Sequence, residues 1–337
     1  MREEFRKDVF DVGEAGDSRR RHPAMPTTPP RVTVAIPTPF AADGAVDVAG
    51  LERIVAWLQT HGVTSVIPAG TTGEFAGMTA AERLTVLKAT RQALGPSGFI
   101  FANCSACALD DALELAKQAI ASGASPDALL VLPPFYHKPV SAELGAKGCE
   151  LFFRALLERL PVEAPPLYIY TFAMHTQQPV PPDVYGRLCR DFGPKVGGIK
   201  ASAVSVEDAK AYAAAGPGTS VLVGNGNANL SILRAGLNVV SGDCVAVSWA
   251  LMALLKMVEA GNDEGAERAQ SALFDIWRGT AMNHFDEVPA VKAAFHSISD
   301  VAIRPDVRPP LVLLDESSAS TVTGAMAKLR EAFATIG

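Results

Sequence analysis

From Arg31 onward, short β-branched or apolar runs alternate eight times with longer segments of helical period, and no other feature of the chain constrains its fold as much. The runs cover residues 32–40, 63–70, 99–106, 128–135, 167–172, 196–201, 220–226 and 238–242. Amphipathic stretches such as 79–94, 109–122, 141–160 and 206–215 lie between them. Strands that are almost wholly apolar bury both faces, which is the signature of a parallel sheet. Eight βα units in series fit a closed (β/α)8 TIM barrel better than an open sheet, whose strand order would have to reverse. Asp47 can cap the first helix, and Thr79-Ala80-Ala81-Glu82 forms a capping-box pattern. Three further helical segments follow, at 261–281, 288–298 and 320–336. The expected architecture is α/β: a barrel over 31–260 and a helical extension over 261–337.

Composition narrows the function. Hydrophobic residues make up 48% of the 337, enough for a large core without metal or disulfide staples. Thirty basic against 36 acidic residues give a net charge of −6, so the chain has no electrostatic footprint for nucleic acid or an anionic membrane. No apolar run approaches the ~20 residues of a membrane span. The five cysteines include one C-x-x-C, Cys104 and Cys107, but no second pair and no histidine pair at zinc-finger spacing. Reduced thiols and a cytoplasmic location are expected. Residues 1–30 read as a flexible N-terminal tail ending in the extended stretch Met25-Pro26-Thr27-Thr28-Pro29-Pro30.

Chemistry in such a barrel sits at the carboxyl ends of the strands. Lys200, in Gly197-Gly198-Ile199-Lys200, closes the sixth run. Desolvation there disfavours the ammonium, and a neutral amine is what Schiff-base catalysis requires; a lysine paired with a carboxylate is the alternative. Lys138, Lys195 and Lys292 fall in loops or helices and read as solvated charges. Gly70-Thr71-Thr72-Gly73-Glu74 follows the second run, and two glycines permit a tight turn with N–H groups beside two hydroxyls, a nest suited to a carboxylate. Tyr168 and Tyr170 share one face of the fifth run, with Tyr170 nearer the mouth, and Tyr136 follows the fourth. A phenol at the mouth can pass protons or simply pack.

Together, Ala35-Ile36-Pro37-Thr38-Pro39-Phe40, Asp43-Gly44, Gly70 to Glu74, Pro134-Phe135-Tyr136, Tyr170, Gly198-Ile199-Lys200 and Val288-Pro289-Ala290-Val291-Lys292 resemble the dihydrodipicolinate synthase/N-acetylneuraminate lyase family of class I Schiff-base aldolases. The resemblance covers about residues 31 to 315. It implies a covalent imine between a 2-keto acid such as pyruvate and Lys200, with no metal or other cofactor. It also implies Thr72 and the backbone of its turn (Gly70, Gly73) as the carboxylate site, and Tyr170 as general acid/base. Thr71 and Tyr136 would form a proton relay, with Tyr136 reaching across a subunit interface in a homotetramer built as a dimer of dimers.

The chain also departs from that pattern. Tyr170-Thr171-Phe172-Ala173 replaces the usual Tyr-Asn-x-Pro, and His175 stands where the synthases carry an arginine for the second substrate's carboxylate. Gly224-Asn225-Gly226-Asn227 replaces the acidic residues that hold sugar hydroxyls in the lyases, and Asn103-Cys104-Ser105 replaces a Thr-Gly turn. The keto-acid half is kept and the partner-selecting half, including Gly224, Asn225 and His175, has diverged. An aldolase or dehydratase for a 2-keto-3-deoxy acid is the favoured expectation. Dihydrodipicolinate synthase itself, a non-catalytic keto-acid-binding barrel, a metal-dependent class II aldolase and a phosphate-binding barrel are the rivals.

Overall fold

A computed structural model describes residues 28–136 and 138–336; most of the tail expected over 1–30, and His137, lie outside the described residues. Every apolar run contains a strand: β1 Val32–Ala35, β2 Ser65–Ile67, β3 Phe99–Asn103, β4 Ala128–Val131, β5 Leu167–Thr171, β6 Val196–Ser202, β7 Ser220–Gly224 and β8 Asn238–Ser241. Each pairs in parallel with the next, and β8 pairs back onto β1, closing a barrel in chain order. Several strands stop before their runs do, for a simple reason. Pro37 and Pro39 after β1, Pro68 after β2 and Pro133 and Pro134 after β4 have no N–H to give the ladder.

The barrel interior is filled from below by Phe99, Phe101, Leu130, Tyr168 and Leu222, all buried. Tyr168 meets Phe101 edge-on, with ring centroids 5.0 Å apart. Its ring occupies the space left by Gly198, its register partner on β6, where a Cβ would come within 2.9 Å of the ring's Cδ1. Strand alternation then raises Tyr170 and Lys200, themselves a register pair, to the carboxyl end. The opposite faces, including Ile169, Ile199 and Val221, pack outward beneath the helices.

The expected helix starts are present. Gly50 donates its N–H to Asp47 at 2.9 Å, and Thr79 and Glu82 cap each other reciprocally. Three helical segments follow the barrel, but the first is not uniform: Asp263–Ala272 is α-helical and continues into a π-helical stretch, Leu273–Met282. There Asn283 donates to the carbonyl of Arg278 at 2.8 Å, a wide i→i+5 turn of the kind that often marks functional sites. Glu287–His296 and Glu316–Ile336 complete the extension, and Phe295 packs edge-on against Trp57 of the first helix at 5.4 Å.

Candidate active site

A cavity of about 840 Å³ opens over the carboxyl ends of the strands. Lys200 lies in its wall, 5% exposed, with Nζ 4.1 Å from the centroid of the Tyr170 ring. Among the described residues no carboxylate lies within 4.0 Å of that nitrogen. The Tyr170 hydroxyl lies 3.3 Å from Thr71 Oγ1 and accepts from Ser202 at 3.4 Å. These contacts are long for O–H···O bonds, as unliganded proton relays often are. Ser202 is two residues beyond Lys200 on the same strand and therefore faces the same cavity.

The turn after β2 is built differently from the two-glycine scheme. Its left-handed residues are Ala69 (φ 48°) and Glu74 (φ 60°), which flank it, and neither Gly70 nor Gly73 has a positive φ. Gly73 is needed for closeness: a Cβ there would stand 2.8 Å from the backbone of Ala69 and 2.9 Å from the carbonyl of Ile36. Asn103 holds the turn's entry, donating to the carbonyl of Ala69 at 2.6 Å while accepting from Ser105 at 2.6 Å. The departure at the third strand is thus a structural support under the turn. Thr71 and Thr72 line the cavity, and Gly70 and Gly73 lie in the backbone on either side of them.

Of the other expected residues, Gly224, Asn225 and His175 line the cavity. Asn225 is turned back to donate to the carbonyl of Val204 at 2.9 Å. His175 leans edge-on against Phe172 at 4.3 Å, and desolvation lowers its pKa, favouring the neutral ring. Tyr136 is 83% exposed and is not part of the cavity wall of its own chain.

Lys292 is a correction. The reading as a solvated charge fails, because the side chain is fully enclosed and forms an ion pair with Glu74 at 2.5 Å. It also donates to the carbonyl of Asp306 at 2.7 Å. Lys195 donates to the carbonyl of Leu157 at 3.1 Å, and Lys138 is exposed. The two cysteines of the C-x-x-C part company: Cys107 is exposed, while Cys104 is buried, which pushes its thiol up to about 12.

Glu287, Arg278 and Asp243 are among the cavity residues that escaped the sequence reading. Thr72 donates its hydroxyl to Glu287 at 2.6 Å, and Arg278 forms an ion pair with Asp243. Arg278 also donates to Asn227 at 2.6 Å, and Ser241 donates to Asp243 at 2.9 Å. Asp243 lies two residues beyond β8, so the strand-end rule could have flagged it. Glu287 and Arg278 come from the extension, and no periodicity in the sequence places them over the barrel.

The sequence and the closed strand order match a known protein family. The family model for the dihydrodipicolinate synthetase family covers residues 28–329. The chain belongs to that family. Its members are class I aldolase-type enzymes, and this chain is one of them. A 4-hydroxy-tetrahydrodipicolinate synthase of Synechococcus sp. (strain CC9605) is 30% identical over 308 residues, 91% of this chain and 97% of its own. A DapA-like lyase of Chloroflexus aurantiacus is 30% identical, covering 89% and 97%. Among solved structures, the chloride-inhibited dihydrodipicolinate synthase of Acinetobacter baumannii complexed with pyruvate superposes with a TM-score of 0.78 at 26% identity, covering 89% of this chain and 98% of that one.

Proposed function

We propose that this family member is a Schiff-base lyase that cleaves or forms a bond beside an imine between Lys200 and a 2-keto acid. Pyruvate is the small partner and a 2-keto-3-deoxy acid the larger one. The observation that carries the reading is the Lys200 amine, enclosed in the wall of a cavity of about 840 Å³, near a tyrosine ring and beyond ion-pair reach of any described carboxylate.

The chemistry follows from that placement. The amine adds to the C2 carbonyl, and the carbinolamine loses water to give a protonated imine. Tyr170 supplies the proton to the departing oxygen, with Thr71 and Ser202 within reach of its hydroxyl. The imine is an electron sink. As Tyr170 takes the proton from the C4 hydroxyl, the C3–C4 electron pair moves into an enamine and the aldehyde leaves. Protonation at C3 and hydrolysis then release pyruvate and restore the amine. The turn carrying Thr72, between Gly70 and Gly73, would hold the keto-acid carboxylate. Gly224, Asn225 and His175 would face the remainder of the substrate. The imine itself serves as the electron sink, so the reading calls for no separate cofactor.

The exposure of Tyr136, with Val140 and Leu144 also exposed nearby, fits a surface covered by a second copy, and the homotetrameric dimer of dimers in which Tyr136 serves a neighbouring copy is what the family resemblance implies. The names of several relatives favour a second reading, 4-hydroxy-tetrahydrodipicolinate synthase. His175 in place of an arginine weighs against it, because a neutral ring is a poor anchor for a second carboxylate.

Borohydride reduction in the presence of pyruvate, followed by intact and peptide mass, tests the mechanism. One reduced pyruvate on Lys200 is expected, and an unmodified Lys200 overturns it. Pyruvate release from a panel of keto-deoxy sugar acids, set against condensation of pyruvate with aspartate semialdehyde, separates the two readings.

A further inference from the structure

Glu287 stands where the substrate's carboxylate would have to be received. Its Oε1 accepts the Thr72 hydroxyl at 2.6 Å, and Thr72 is the residue whose turn is assigned to that carboxylate above. The pair is built in by the fold. Gly242, just past β8, leaves the room for it, since a side chain at that position would collide with Thr72 Oγ1 and Glu287 Oε1 together. Glu287 opens the helix Glu287–His296, whose middle is fixed to the same turn through Lys292 and Glu74.

A hydroxyl has one hydrogen to give. When Glu287 is ionised it claims that hydrogen, leaves only lone pairs toward an incoming carboxylate, and adds a like charge beside it. A protonated Glu287 reverses the chain: the carboxyl donates to Thr72, and Thr72 is free to donate to the ligand.

We propose that Glu287 is a specificity-determining residue that admits a 2-keto acid carboxylate onto Thr72 only in its neutral, acid form. The charged groups facing it come from several elements. Lys200 of β6, Arg278 of the π-helical stretch and the helix's own N-terminal N–H groups favour the carboxylate. Asp243 after β8 and the adjoining Asp286 oppose it, and so does the loss of water around the carboxyl bonded to Thr72, although the residue as a whole is exposed. Desolvation is the largest influence, and the net result is a Glu287 pKa above the ordinary carboxyl value. The ionised fraction therefore grows as pH rises through a raised value, and keto-acid affinity falls with it.

The inference rests on the Lys200 reading, so the test measures both. Pyruvate is titrated into the full-length wild type and Glu287→Gln, with borohydride trapping read by mass, from about pH 5.5 to about pH 9. Glutamine keeps the shape and stays neutral, and pH effects common to both proteins cancel in the ratio of their half-saturating concentrations. A like charge moves a neighbouring carboxyl's ionisation by about tenfold or more, and linkage gives the ligand the same factor. The wild type should therefore weaken relative to the variant by at least about tenfold toward the alkaline end.

A ratio that stays constant while both proteins form the adduct overturns the inference and leaves the Lys200 reading standing. Absence of an adduct in both overturns the two together. Should the variant fail to fold, the wild type alone decides, with pyruvamide as a neutral ligand. Its half-saturating concentration should hold while that of pyruvate rises, and parallel curves overturn the inference.

Discussion

Among the described residues two lysines are buried, and they are buried in opposite ways. Lys200 lies against the Tyr170 ring at the edge of a large cavity, with no described carboxylate within ion-pair reach. Lys292 is fully enclosed, paired with Glu74 at 2.5 Å, bonded to the carbonyl of Asp306, and 4.2 Å from the Phe40 ring. Burial pushes the Lys292 amine down, while Glu74 pulls it back up. Enclosure by itself therefore does not make a lysine a nucleophile. What separates the two is the space beside the nitrogen and whether a carboxylate already holds it. Lys292 does structural work for Lys200 all the same, because Glu74 ends the turn that carries Thr71 and Thr72.

The strongest way to break the comparison is to remove each amine. Lys200→Ala should abolish the borohydride adduct and cut turnover by about 10⁴-fold or more, with the melting temperature little changed. Lys292→Met should do the reverse. It leaves Glu74 as an unpaired buried charge, which costs about 3–5 kcal/mol, while the molecules that stay folded still form the adduct. Adding Glu74→Gln should return part of that loss, since the orphaned charge is then gone. Thermal melts and trapping on the same samples check both halves. A stable Lys292→Met protein that cannot be trapped would erase the distinction.

A smaller effect separates the two tyrosines of β5. Tyr170→Phe should slow turnover by about 10²- to 10⁴-fold while pyruvate still binds. Tyr168→Phe should change turnover little, because its ring fills the barrel floor over Gly198. Single-turnover kinetics on the two variants read this directly, and a slow Tyr168→Phe beside a normal Tyr170→Phe would reverse the assignment.

These contrasts show what the sequence could and could not carry. The eight strands, the Asp47 cap and the Thr79–Glu82 capping box were legible because period, proline and capping chemistry are local. The arrival of Lys200, Tyr170 and Thr72 at one cavity was legible because the barrel rule sends strand ends to one place. The left-handed φ of Ala69 and Glu74 was not, since those turns are held from outside, by Asn103 on one side and the Lys292–Arg308 cluster on the other. The burial of Lys292 and the arrival of Glu287 and Arg278 at the cavity depend on how the extension folds back. That is long-range packing, with the π-helical stretch adding a turn no helical period would predict.

The smallest expected effect sharpens the structural side of the comparison. Arg308 clips the same region as Lys292: its guanidinium lies 4.3 Å from the Phe40 ring, its backbone N–H donates to Glu74 at 2.9 Å, and its side chain pairs with Glu82 at 2.5 Å. The Arg308 hydrogen bond holds the Glu82 carboxyl at about 2, against an ordinary value of 4.5. A depressed carboxyl stabilises the folded state above its unfolded pKa and loses that contribution as pH falls through the folded one. Both side chains are partly exposed, at 22% and 28%, so solvent screening limits the pair to about 1 kcal/mol. Glu82→Gln should therefore lower the melting temperature slightly near neutral pH. The gap from wild type should begin to close below about pH 4.5 and shrink further toward about pH 2. A gap of constant size down to about pH 3 would mean that the capping hydrogen bonds to Thr79, rather than the charge on Glu82, carry the clip.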